Sequence, residues 1–141
     1  MAFWLFKTEP ESFAWSDQLK AGAKGEEWSG VRNALAQMNM RAMRRGELGF
    51  FYHSVKEKRI VGAVKIVREI HPDSTDATGR WNCVDVSAAG AFPRPVTLAE
   101  IKAEPRLANM ALVKNSRLSV QPVTAEEWAL VCRMGGYEQQ G

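Results

Sequence analysis

The sequence Trp28-Ser29-Gly30-Val31-Arg32-Asn33 sets a large aromatic, a flexible hinge, a fixed cation and a two-way amide within six residues. Gly30 permits backbone angles that other residues resist. Asn33 is a good helix cap, and a segment with apolar spacing follows it. The stretch therefore reads as a loop feeding a helix N-terminus, where backbone N–H groups and partial positive charge collect. Trp28 offers a stacking face, Arg32 a rigid donor fork, and Asn33 a donor beside an acceptor. Together they suit a flat, polar-edged heterocycle near a phosphate. They also suit a structural role, with Trp28 in the core and Asn33 only capping.

Upstream, residues 2–8 alternate and are rich in aromatics, which predicts a half-buried strand. Pro10 stops it and leaves Lys7, Thr8 and Glu9 at the strand end, either as site residues or as a polar turn. Residues 16–21 read as a short helix capped by Ser16 and Gly22, and residues 23–27 as a loop. Downstream, residues 33–44 predict a helix closing at Gly46, with Leu35, Met38 and Ala42 on one stripe. Arg41, Arg44 and Arg45 stand at i, i+3 and i+4 and are expected to fan from one side. The helix dipole favours such a fan, and so would a phosphate backbone.

The remainder predicts strands at residues 47–52, 60–70, 81–86 and 118–122. Gly62 inside the second of these marks a bulge or the close approach of a ligand. Asn82, Val84 and Val86 fall on one face of the third, and Cys83, Asp85 and Ser87 on the other. Residues 88–95 follow no clear pattern. Pro122 puts the last strand at an edge or at a sheet end. Thr97-Leu98-Ala99-Glu100 and Thr124-Ala125-Glu126-Glu127 are capping boxes that open two helices. Another helical turn is expected near residues 107–112. The second capped helix should bury Trp128, Val131 and Cys132 and end at Gly135-Gly136, with the last five residues frayed. Five to six strands with four short marginal helices make an α+β fold around a small curled sheet.

The chain has 141 residues, 45% of them hydrophobic and 25% charged, which fits one domain with a real core over residues 1–141. No apolar run reaches membrane-spanning length, and the start lacks the basic region of a signal peptide. The expectation is a cytoplasmic, monomeric protein without membrane contact. Cys83 and Cys132 are far apart and read as free thiols. With two histidines and no cysteine cluster, neither a metal nor a cofactor is expected. Net charge is only +3, but residues 28–68 hold nine basic side chains against Glu47 and Glu57. That local excess of seven suggests an anionic partner, nucleic acid first, or a solvated face.

Catalytic patterns are poorly represented. His53 and Ser54 are neighbours, so in an extended chain their side chains point to opposite faces. GxSxG, HExxH and phosphate-loop motifs are absent, and no catalytic residue is expected. A base-binding site is better matched: Trp28 or Tyr52 to stack, Asn33 and Ser54 to read an edge, Arg32, Arg41 and Arg44 to meet phosphates.

Four motifs stand in a recognisable order: Trp4-Leu5-Phe6-Lys7-Thr8-Glu9-Pro10, Trp28-Ser29-Gly30-Val31-Arg32-Asn33, Phe50-Phe51-Tyr52-His53-Ser54 and Arg117-Leu118-Ser119-Val120-Gln121-Pro122. Through them nearly the whole chain resembles the EVE domain family. The resemblance implies a PUA-like fold, a small bent β-barrel with flanking helices, similar to YTH and ASCH domains. It also implies non-catalytic recognition of a modified base, with modified cytosine in DNA favoured and RNA open. The base would be flipped into a pocket. Trp28, Val31, Arg32 and Asn33 would line one wall, Lys7, Thr8 and Glu9 a second, and Tyr52, His53 and Ser54 a third. Arg117 and Ser119 would close the rim, and Arg41, Arg44 and Arg45 would contact phosphates. Ser29 departs from the family pattern, which often has Asp or Glu there. A pocket for a small molecule or free nucleotide, and an enzyme acting on a modified base, are the alternatives.

Overall fold

In the computed structural model, residues 1–138 are described. Six strands form one mixed sheet in the order β2-β5-β4-β3-β1-β6. They are β1 (Phe3–Thr8), β2 (Glu26–Glu27), β3 (Leu48–His53), β4 (Arg59–Pro72), β5 (Asn82–Thr97) and β6 (Val120–Val123). Only β1 and β3 run parallel; every other pair is antiparallel. Five helices flank the sheet: α1 (Trp15–Lys20), α2 (Ala34–Ala42), α3 (Leu98–Ala103), α4 (Ala111–Lys114) and α5 (Ala125–Gly135). The barrel expected from the resemblance is corrected to an open sheet, because β2 and β6 remain unjoined edges.

Alternation along β1 explains why both faces are covered. Trp4 and Phe6 enter one core cluster, and Leu5 enters the other. In β3, Phe50 and Tyr52 join the cluster of Leu5, while Phe51 joins that of Phe6. The long strands serve both clusters. Val84 and Val86 of β5 lie with Phe6, whereas Phe92 and Val96 of the same strand lie with Leu5. Register shifts between β4 and β5 permit this, since bulges bend and twist a strand. The largest shift opposes Val61 with residues 92–95, so Pro93 and Pro95 stand where no ladder bond is needed. This is why residues 88–95 look irregular in sequence yet belong to β5.

Both capping boxes form as expected. Thr97 Oγ1 accepts from Glu100 N–H, and Thr124 Oγ1 accepts from Glu127 N–H. The short β2, read as loop, exists because its partner β5 supplies the bonds. Helix α1 starts one residue early, and Asp17, not Ser16, accepts from Ala14 N–H. Helix α2 stops at Ala42 rather than running toward Gly46. Its apolar stripe is also corrected: Leu35 and Met38 are exposed, and Ala36, Gln37 and Met40 face the core. The Gln37 amide explains the rotation. Its Nε2 donates to Val31 O (3.1 Å) and Asn82 O (2.8 Å), and its Oε1 accepts from Asn82 N–H (3.1 Å). At the other end of the chain, Tyr137 is packed rather than frayed, with its ring stacked on Phe92. The rest of that expectation falls on Glu138, which is exposed, and on residues 139–141, which lie outside the described residues.

Candidate functional site

Two cavities flank the C-terminal end of β1. The first has a volume of about 570 Å³ and is walled by Lys7, Thr8 and Phe13 on one side and by Trp28, Val31 and Arg32 on the other. The second, also about 570 Å³, is walled by Glu9, Tyr52, Ser54, Lys58, Lys102 and Arg117. Lys7, Thr8 and Ser119 line both. The single three-walled pocket expected from the motifs is thus two cavities sharing a ridge.

The Trp28 wall is built by long-range bonds. Trp28 N–H donates to Val84 O (2.8 Å), extending the β2–β5 ladder by one residue. Its indole is only 6% exposed and meets Phe6, Phe13 and Phe51 edge-on, with ring centroids 5.1, 6.0 and 5.7 Å away. Trp28 is therefore both core and cavity wall. Gly30 then turns the chain at φ +82°, a conformation costly to other residues. Asp73, arriving from the end of β4, holds the turn. Its Oδ2 accepts from Gly30 N–H (2.8 Å) and from Arg32 Nη1 (3.1 Å), and its Oδ1 accepts from Thr75. Burial raises the Asp73 pKa, but these bonds outweigh it and hold the carboxyl down at about 2. The Arg32 guanidinium also lies 5.8 Å from the centre of the Trp81 ring.

Asn33 caps α2, its Oδ1 accepting from Ala36 N–H (2.9 Å), and does not line either cavity. On the ridge, Lys7 Nζ donates to Ser116 O (2.8 Å), and burial lowers its pKa. Burial pushes the Tyr52 phenol up to about 12. His53 is engaged inside the fold. Its Nε2 accepts from Trp15 N–H (3.1 Å), so its proton sits on Nδ1, which donates to Glu57 Oε1 (2.8 Å). It lines neither cavity and fastens the start of α1.

The three arginines do not fan from one helical face, because Arg44 and Arg45 lie beyond the end of α2. All three are exposed. Arg44 Nη1 turns back to Arg41 O (3.2 Å) and Met43 O (3.1 Å), satisfying helix-end carbonyls. Lys58 and Lys102 were not foreseen as site residues. They sit far apart in sequence, beside the turn before β4 and in α3, and meet only in the folded chain.

Residues 2–134 match the family model for the EVE domain. Human thymocyte nuclear protein 1 is 38% identical over 161 aligned residues, which cover 91% of this chain and 71% of that protein. The crystal structure of human THYN1 protein in complex with 5-methylcytosine-containing DNA superposes with a TM-score of 0.90 at 35% identity, covering 98% of this chain and 99% of that one. Rpa0253 from Rhodopseudomonas palustris superposes with a TM-score of 0.91 at 59% identity, covering 96% and 94%. The YTH domain of Zygosaccharomyces rouxii MRB1 shares the fold, with a TM-score of 0.57 at 19% identity over 99% and 87% of the two chains, which agrees with a PUA-like α+β architecture. The chain belongs to the EVE domain family.

Proposed function

We propose that this chain is a non-catalytic reader of a modified base in nucleic acid, with modified cytosine in DNA as the favoured ligand. The observation that carries this reading is the cavity between Trp28-Val31-Arg32 and Lys7-Thr8, on a scaffold superposing over nearly its whole length with a relative bound to 5-methylcytosine-containing DNA. A base flipped into this cavity meets the Trp28 wall and a loop held rigid by Asp73. The second cavity carries Lys58, Lys102 and Arg117 along the same ridge and suits the phosphates beside the flipped base.

The histidines support the non-catalytic reading. His53 has both ring nitrogens bonded within the fold, and neither His53 nor His71 lines the two cavities. A general base must reach its proton directly or through one water. The test is a binding screen over oligonucleotides that differ only in one base modification, in DNA and RNA, across a salt series. The reading predicts tighter binding to one modified oligonucleotide and affinity that falls with salt. Preference for the free nucleoside with no salt dependence would replace it with a small-molecule pocket. A changed base detected by mass spectrometry would replace it with an enzyme.

A further inference from the structure

Where β2, β4 and β5 meet, away from the ridge, Glu27, His71, Cys83 and Asp85 converge. One ligand-type atom from each lies within 4.8 Å of all the others. The sheet register assembles them: Glu27 pairs with Asp85 across β2–β5, and His71 pairs with Cys83 across β4–β5. Cys83 and Asp85, two residues apart on β5, project to the same side.

The imidazole supplies an independent observation. His71 Nδ1 lies 2.9 Å from Pro72 O, and a carbonyl oxygen only accepts, so Nδ1 carries the proton. The other nitrogen, Nε2, lies 2.7 Å from Asp85 Oδ1 and 3.8 Å from Cys83 Sγ. At that distance the two atoms share a proton, which a metal ion taking both as ligands would displace. A histidine whose far N–H is held by a backbone carbonyl is the usual orientation of a metal-bound imidazole.

We propose that Glu27, His71, Cys83 and Asp85 form a four-ligand site for a divalent transition metal of the zinc class. A sulfur, an imidazole nitrogen and two carboxylate oxygens suit zinc, whereas magnesium and calcium want oxygen alone. Glu27 and Asp85 also line an open cavity of about 530 Å³ with Arg68 and Ser74, which gives the ion a route from solvent. The site has a structural use. Glu27 directly precedes Trp28 and lines the first cavity, so an ion here would clamp the Trp28 wall to β4 and β5. The proposal stands independently of the base-reading function.

The experiment uses the full chain, stripped with a chelator and titrated with Co²⁺ as a spectroscopic probe. One equivalent should bind with a thiolate-to-cobalt absorption band, Zn²⁺ should displace it, and Zn²⁺ should raise the melting temperature. Cys83→Ser should lose the band and Cys132→Ser should keep it, since these are the two cysteines of the chain. His71→Gln should lose stoichiometric binding, and it serves as the test if Cys83→Ser does not fold. A folded chain that shows no thiolate band with Co²⁺, or a band that survives loss of Cys83, overturns the proposal. So does an imidazolium signature for His71 in nitrogen NMR that does not respond to Zn²⁺.

Discussion

The buried carboxylate of Asp73 lies 3.1 Å from the Arg32 guanidinium and so fixes the loop on which the first cavity depends. The same oxygen accepts from Gly30 N–H at 2.8 Å. One side chain from the far end of β4 therefore sets both the turn and the cation.

This relationship predicts acid sensitivity. The Asp73 pKa is held at about 2, below the ordinary aspartate value of about 3.9. A lowered folded-state pKa adds stability that is present above about pH 4 and is lost as pH falls toward 2. The contribution is about 2 kcal/mol. Asp73→Asn should lower stability at neutral pH by about that amount and flatten the decline between about pH 4 and 2. Urea denaturation at stepped pH measures both. Asp76 is also held at about 2, so the decline should shrink rather than vanish.

Trp28 has two duties, and its variants should separate them. Trp28→Ala should cost about 3–5 kcal/mol of stability, because three phenylalanines lose their partner. Trp28→Phe should fold and still lose affinity for the modified oligonucleotide, within the roughly 1–3 kcal/mol range for base stacking. Thermal melting and fluorescence anisotropy on the same samples distinguish the effects. Unchanged binding by a folded Trp28→Phe would make the indole core alone.

Backbone contact should run along the second cavity. The double variant Lys58→Ala, Lys102→Ala should weaken binding to modified and unmodified DNA alike and reduce the salt slope by about two. The double variant Arg41→Ala, Arg44→Ala should reduce it less, because Arg44 already serves helix-end carbonyls. A larger drop with the arginine variant would move the phosphate path to the α2 side.

Gly62 tests the packing of α1. A Cβ added there would stand 2.6 Å from Trp15 Cη2 and 2.9 Å from Gly90 O. Gly62→Ala should destabilise by about 1–3 kcal/mol, as overpacking does. A denaturation midpoint unchanged from the parent would show that both the Trp15 ring and the β5 backbone at Gly90 give way freely. At Gly62 the expected bulge is present as a register shift against β5, and the close neighbour is an indole of the same chain rather than a ligand.

Legibility followed the range of the interaction. Thr97 with Glu100 and Thr124 with Glu127 were readable because a cap and its partner lie three residues apart. Pro122 pointed to an edge, and β6 is one. The face of α2 was not readable. Leu35-Met38-Ala42 and Ala36-Met40 are both good helical spacings, and the Gln37 amide bridging Val31 and Asn82 decides between them. The Asp73 latch, 41 residues from Arg32, left no local signal at all.

By its own order of residues the chain determined its family motifs, its helix starts, the alternation of β1 and the composition of the Trp28 stretch. These are local properties, set by backbone preference and by neighbours a few residues away. Tertiary structure alone decided that the sheet stays open, that β1 divides one expected pocket into two, and that Glu27, His71, Cys83 and Asp85 meet. Those outcomes depend on strand register and bulges, and a shift of one residue in pairing would turn each of these side chains to the opposite face.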